Sequence, residues 1–103
     1  MYAGEPNLRL PLVEEIRKRA GGVALGMHGA SGTPFDQIQG AINAGIRKIN
    51  YFTAIDTAPA PVLRDYIEAS TLPVNFYKLA DMAMEVIYSK TVEFLNVCKS
   101  CMK

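Results

Sequence analysis

The sequence has 103 residues, half of them hydrophobic, and its 11 basic and 10 acidic side chains leave a formal net charge of +1. This length suits one compact domain, and no uninterrupted apolar run approaches the roughly 20 residues of a membrane-spanning helix. The balanced charge and the lack of a dense basic stripe argue against nucleic acid and membrane surfaces as partners. We therefore expect a soluble chain that binds small molecules or other proteins.

Neither end of the sequence carries a targeting or redox signal. Residues 1–7 lack the charged head, apolar middle and cleavage site of a secretory signal, so the cytoplasm is the expected location. Cys98 and Cys101 form a Cys-x-x-Cys pattern in what is predicted to be a helix end. No second Cys or His pair follows, and a redox motif of this type normally opens a helix. We interpret both residues as ordinary thiols of a terminal segment.

The first half of the sequence predicts a helix, a strand and a second helix. Residues 11–20 have the apolar spacing of a helix and end at two glycines, and the short apolar run at 23–28 favours a buried strand. Glycine-rich residues 29–32 interrupt the pattern. The next helix should start with Thr33 as its N-cap and Pro34 in its first position, and it should stop at Gly45.

The second half of the sequence repeats the strand and helix. Residues 46–52 are rich in β-formers and predict a strand, and a helix is expected over about residues 60–69 with Leu63, Tyr66 and Ile67 facing inward. Residues 75–99 contain neither Pro nor Gly and have helical apolar spacing. They predict one long helix or two abutting helices.

Two consecutive strand-helix units imply parallel strands, and parallel strands need neighbours on both edges and helices on both faces. Two strands do not meet that need, whereas a (β/α)8 barrel of about 250 residues does. We therefore predict an α/β fold in which residues 1–103 form a single partial domain: the last two βα units and the terminal helix of a TIM (β/α)8 barrel. His28 and Asn50 would then end the two strands at the rim where barrels carry their active sites.

The residues at the two strand ends have more than one chemical interpretation. A lone histidine such as His28 is either a metal ligand or a hydrogen-bonded structural residue. Residues 29–32 suit an anion cradle of backbone N–H groups and equally a tight turn. Asn50 and Thr53 favour the cradle, because barrels often bind phosphate with the loops after their last two strands.

Residues 27–34 (MHGASGTP) and 45–53 (GIRKINYFT) resemble, in order and spacing, two motifs of the class II fructose- and tagatose-bisphosphate aldolases. The resemblance covers nearly the whole chain. It implies that the complete enzyme, a homo-oligomer, uses Zn²⁺ to cleave a ketose bisphosphate into dihydroxyacetone phosphate and an aldehyde phosphate. The partner would be this phosphorylated sugar.

The resemblance also implies individual roles. His28 would bind the catalytic Zn²⁺, and Asn50 would be catalytic through a contact to the enediolate. The phosphate of the dihydroxyacetone phosphate moiety would be bound by Gly29, Ala30, Ser31, Asn50, Tyr51, Phe52 and Thr53. Because a catalytic zinc needs three protein ligands and this sequence has one histidine, the family's other ligands, its catalytic Asp and its mobile base-bearing loop would precede Met1.

Two departures from the family pattern leave the substrate open. Ala30 replaces a frequent Gly, and Phe52 replaces the Asp of many fructose-type members, so fructose, tagatose and other ketose bisphosphates all remain candidates. Two alternatives to the zinc enzyme also remain. Lys48 shares a strand face with Asn50 and could serve a Schiff-base aldolase, or the chain could be an inactive fragment or an association module.

Overall fold

The computed structural model describes residues 6–99, which form five helices and a two-stranded sheet. In chain order the elements are α1 (Leu10–Ala20), β1 (Leu25–Met27), α2 (Phe35–Ala44), β2 (Ile46–Ile49), α3 (Thr53–Thr57), α4 (Pro59–Ala69) and α5 (Phe76–Lys99). The strands are parallel, with Leu25 opposite Ile46 and Met27 opposite Ile49. The α/β class and the parallel pairing predicted from the sequence are therefore confirmed.

Both strands are shorter than the sequence predicted. The first ends at Met27, and the chain then turns through Gly29 and Gly32, which have φ values of 76° and 87° that favour glycine. The second ends at Ile49, although the N–H of Asn50 still donates to the carbonyl of Met27 over 3.0 Å. Soon after Asn50 the chain enters α3, a single short helix that the sequence pattern did not predict.

The start of α2 also differs from the prediction. Pro34, not Thr33, is the N-cap residue, so the assignment of Thr33 as a helix cap was wrong. The buried hydroxyl of Thr33 instead donates to the carbonyl of Gly29 over 3.1 Å, and its N–H donates to the carbonyl of Ala30. Thr33 therefore stabilises the glycine loop that follows β1.

The apolar core lies where the sheet, α2 and the last turns of α5 meet. Its buried members are Met27, Ala30, Ile38, Ala41, Ile46 and Phe94. Ile38 is fully buried. The sharp connection from α2 into β2 depends on Gly45, whose φ is 128° and where an added Cβ would collide with the side chain of Arg17.

The remainder of the chain extends away from this core. The molecule measures 60 × 30 × 19 Å and its radius of gyration is 17.8 Å, whereas a compact domain of this length has a radius of about 13 Å. Ile67, which was predicted to face inward on α4, is 48% exposed. α5 is a single helix, and among residues 6–99 no helix has both the length and the apolarity to cross a membrane.

Candidate active site

Three polar side chains meet where the two strands end. The backbone hydrogen bond from Asn50 to Met27 extends the sheet by one residue and brings Asn50 beside His28. The amide nitrogen Nδ2 of Asn50 then lies 2.8 Å from Nδ1 of His28. The Nζ of Lys48 donates to Oδ1 of the same carboxamide, as expected for residues i and i+2 on one strand face. The carboxamide of Asn50 thus contacts both His28, which the sequence predicts as a metal ligand, and Lys48, the candidate Schiff-base lysine.

His28 is exposed, and its ring is the part of this cluster that suits a metal ion. Within residues 6–99, however, no group of three or more His, Cys, Asp or Glu side chains is placed to hold a metal. A catalytic zinc requires three protein ligands and one open position. The described residues therefore do not form a metal site by themselves, and the role of His28 as a ligand remains a prediction.

The loops that follow the two strands are joined by a serine. The backbone N–H of Ala54, in the first turn of α3, donates to Oγ of Ser31 over 3.0 Å. Because Oγ acts as the acceptor, the hydroxyl hydrogen of Ser31 remains available to donate to an anion. Gly29, Ser31 and Thr53 are all partly exposed, so this side of the sheet remains accessible to a small ligand.

Three other residues proposed for phosphate binding have side chains with different surroundings. The methyl group of Ala30 is wholly buried in the core, and the ring of Phe52 is 69% exposed at the start of α3. Neither group can form an ordinary hydrogen bond to phosphate, so any such contact from these residues would come from the backbone. The ring of Tyr51 packs onto α5.

The ring of Tyr51 lies parallel to that of Phe94, with the ring centroids 3.8 Å apart and the planes 2° from parallel. This contact fixes the site-bearing loop to the terminal helix. Burial raises the pKa of the Tyr51 phenol above its ordinary value, the nearby carboxylate of Glu93 raises it further, and Lys90 acts in the opposite sense. The sequence carried no signal for this stack, because the two residues lie far apart along the chain.

Cys98 is partly buried against the core, whereas Cys101 lies outside the described residues. The interpretation of their spacing as a pair of ordinary thiols remains a prediction.

The family model described as fructose-bisphosphate aldolase class-II matches residues 1–103 of the sequence. The match includes both strand ends that carry the cluster of His28, Lys48 and Asn50, and it agrees with the resemblance found in the two motifs. The chain belongs to the class II fructose-bisphosphate aldolase family.

Proposed function

We propose that this chain forms the carboxyl-terminal part of a TIM-barrel aldolase and contributes to the zinc-dependent cleavage and synthesis of a ketose bisphosphate in the cytoplasm. One observation carries the proposal: His28 and Asn50 are in contact at the carboxyl ends of neighbouring parallel strands, in a chain of this family. Barrel enzymes build their active sites at this end of the sheet. The remainder of the barrel would supply a neighbouring strand for each of the two unpaired edges, and it would supply the other metal ligands.

His28 would supply one of three protein ligands, and the other two would come from outside residues 6–99. When bound, the zinc ion supplies Lewis acidity toward the substrate carbonyl. The carboxamide of Asn50 has two N–H donors, of which one is directed at His28. The other is available for a substrate oxygen, and a neutral amide can stabilise charge there without changing its own protonation state.

The loops at residues 29–32 and 50–53 would bind the phosphate of the dihydroxyacetone phosphate moiety. Ser31 would donate its hydroxyl hydrogen while its oxygen accepts from Ala54. Since the hydrogen bond from Ala54 holds the side chain of Ser31 in place before substrate arrives, less entropy is lost on binding. Thr53 would add its hydroxyl from the start of α3.

Substrate choice would depend more on Phe52 than on Ala30. The methyl group of Ala30 is buried in the core and is removed from any ligand. The ring of Phe52 is exposed at the start of α3, so of the two side chains it is the one that a bound sugar would contact. The two sugars therefore remain alternative substrates within one reaction class.

The metal assignment is tested by replacing His28 with alanine in the complete enzyme and measuring bound zinc together with turnover. Loss of one ligand leaves the metal weakly held and misoriented, so we expect the variant to lose both tight zinc binding and activity. Glu14→Ala, on the exposed side of α1, is the control and should retain both. Full zinc content with near-normal turnover in His28→Ala would refute the ligand role.

A second candidate function is association without catalysis. Within residues 6–99 each strand pairs on one side only, which leaves an edge that another chain can extend. Light scattering of the separate chain would show defined complexes if association is its role. Restoration of aldolase activity by the remainder of a barrel would instead support the enzyme.

A further inference from the structure

We propose that Lys48 is a positioning residue whose ammonium group fixes the orientation of the Asn50 carboxamide. The inference rests on the proposed aldolase function, because it concerns the direction in which Asn50 presents its N–H donors to substrate. It also gives Lys48 a role that requires no covalent intermediate.

The ammonium group of Lys48 decides which end of the Asn50 amide faces which neighbour. A lysine ammonium group has three donors and no acceptor, so the carboxamide atom beside Nζ of Lys48 has to be the oxygen. The NH2 group of Asn50 is then directed at Nδ1 of His28, 2.8 Å away. A carboxamide turned by 180° would set its NH2 group against the ammonium and lose this bond. Lys48 therefore selects one of two orientations of nearly equal shape.

The geometry of the two strands allows the side chain of Lys48 to reach Asn50. Residues i and i+2 of a strand share a face, and Lys48 is paired in register with Gly26 of β1. Gly26 has no side chain, so the neighbouring strand places no group beside the lysine on that face. The side chain of Lys48 is exposed, which leaves it free to extend along its own strand toward Asn50.

The contact with Lys48 also changes the hydrogen-bond donor strength of the Asn50 amide. Hydrogen bonds from charged donors are stronger than neutral ones, and a chain of hydrogen bonds polarises its members. The contact from Lys48 draws electron density toward Oδ1 and makes the N–H groups of Asn50 better donors. One N–H contacts His28 and the second is available to a substrate oxygen, so the direction and the strength of both donors depend on Lys48. The loss of Lys48 should therefore lower kcat and leave phosphate binding largely intact.

Kinetics of the complete enzyme test this role with four variants: Lys48→Met, Lys48→Arg, Asn50→Ala and the Lys48→Met/Asn50→Ala double variant. We expect Lys48→Met to lower kcat by about 10- to 100-fold, as for other residues that orient a catalytic group, with KM changed less than about threefold. Lys48→Arg should keep kcat within about threefold, because it retains a charged donor. Lys18→Met, on exposed α1, should leave the rate unchanged.

The double variant separates action through Asn50 from independent action. If Lys48 acts through Asn50, Lys48→Met should change kcat by less than about twofold once Asn50 is alanine. Multiplicative losses in the double variant would overturn the proposal. An inactive Lys48→Arg enzyme, together with borohydride trapping of substrate on Lys48 in the wild type, would overturn it in favour of a Schiff base.

A spectroscopic readout keeps this inference separable from the proposed function. In the complete enzyme labelled with ¹⁵N-asparagine, the side-chain NH2 resonances of Asn50 should move in Lys48→Met and stay near their wild-type positions in Lys48→Arg. Unchanged resonances in Lys48→Met would contradict the positioning role even in an active aldolase. A wild-type enzyme without aldolase activity would instead reject the proposed function, whatever the resonances show.

Discussion

The segment from β1 through β2 and the helical pair of α4 and α5 bury their side chains to very different degrees. Between residues 25 and 49 the buried residues, which include Met27, Ile38 and Ile46, pack into one apolar core. In α4 and α5 only Pro59 and Phe94 are buried, and Phe94 belongs to the core of the first segment. Large apolar side chains along α5 are instead exposed, among them Phe76, Tyr77, Met84, Tyr88 and Leu95.

The chain therefore forms its own core between β1 and β2, whereas α4 and α5 need a neighbour to cover their apolar side chains. The strand-helix-strand segment packs against itself, and the cluster of His28, Lys48 and Asn50 lies at its rim with defined hydrogen bonds. Several large apolar side chains are exposed along α5, and contiguous apolar patches of this kind mark surfaces that contact another protein. The proposed remainder of a barrel, or another subunit, would cover these side chains.

The largest expected effect contrasts a buried and an exposed apolar residue of the two regions. Ile38→Ala should lower the free energy of unfolding by about 2–5 kcal/mol, because Ile38 is fully buried and its loss leaves a cavity. In the separate 103-residue chain, where no barrel neighbour covers α5, Met84→Ala should change it by less than about 0.5 kcal/mol, since Met84 is 66% exposed. Urea unfolding of both variants followed by circular dichroism measures the difference. Equal losses would show that α5 is covered as well as α2.

The phosphate loops give the next largest effect. Ser31→Ala and Thr53→Val should each weaken transition-state binding by about 1–3 kcal/mol, the range for a hydrogen bond to a charged group, measured from kcat/KM with the ketose bisphosphate. Thr71→Val, in the exposed turn between α4 and α5, removes a hydroxyl far from the proposed cradle and serves as the control. If neither loop variant differs from Thr71→Val, the phosphate lies elsewhere.

The smallest effect concerns the aromatic stack that joins the two regions. The folded state raises the pKa of Tyr51 above its ordinary 10.0, so the unfolded chain loses this proton first as the pH rises. The contribution to stability is fully present below about pH 10 and is lost as the pH increases through the folded-state pKa. Tyr51→Phe should therefore show a weaker alkaline loss of stability than the wild type. If the wild type and Tyr51→Phe lose stability equally as the pH rises, the folded state does not shield the Tyr51 phenol from solvent.

The sequence predicted those features that depend on local pattern. Glycines and prolines marked the breaks between elements, and apolar spacing distinguished α5 from the strands. The period of two placed Lys48 and Asn50 on one face, and the parallel order of the strands placed His28 at the same edge. These inferences hold because each depends on a few neighbouring residues or on one topological rule.

Features that depend on distant contacts escaped prediction. The stack of Tyr51 on Phe94 and the bond from Ala54 to Ser31 join segments that only the folded chain brings together. Thr33 was misassigned because a hydroxyl before Pro34 suits a helix cap, in which its oxygen accepts from a helix N–H, whereas the buried hydroxyl donates to the carbonyl of Gly29. Among the described residues no group of three or more His, Cys, Asp or Glu side chains is placed to hold a metal, so the assignment of His28 as a metal ligand remains a prediction.

We propose that the strand ends of this chain form part of an aldolase site that other segments complete. Ketose bisphosphate cleavage should be measured for the 103-residue chain alone and after co-expression with the amino-terminal part of a class II aldolase, with and without a zinc chelator. We expect no cleavage by the chain alone, which should aggregate or associate, and chelator-sensitive cleavage by the combination. A monomeric chain that unfolds cooperatively and cleaves the substrate unaided would contradict the account.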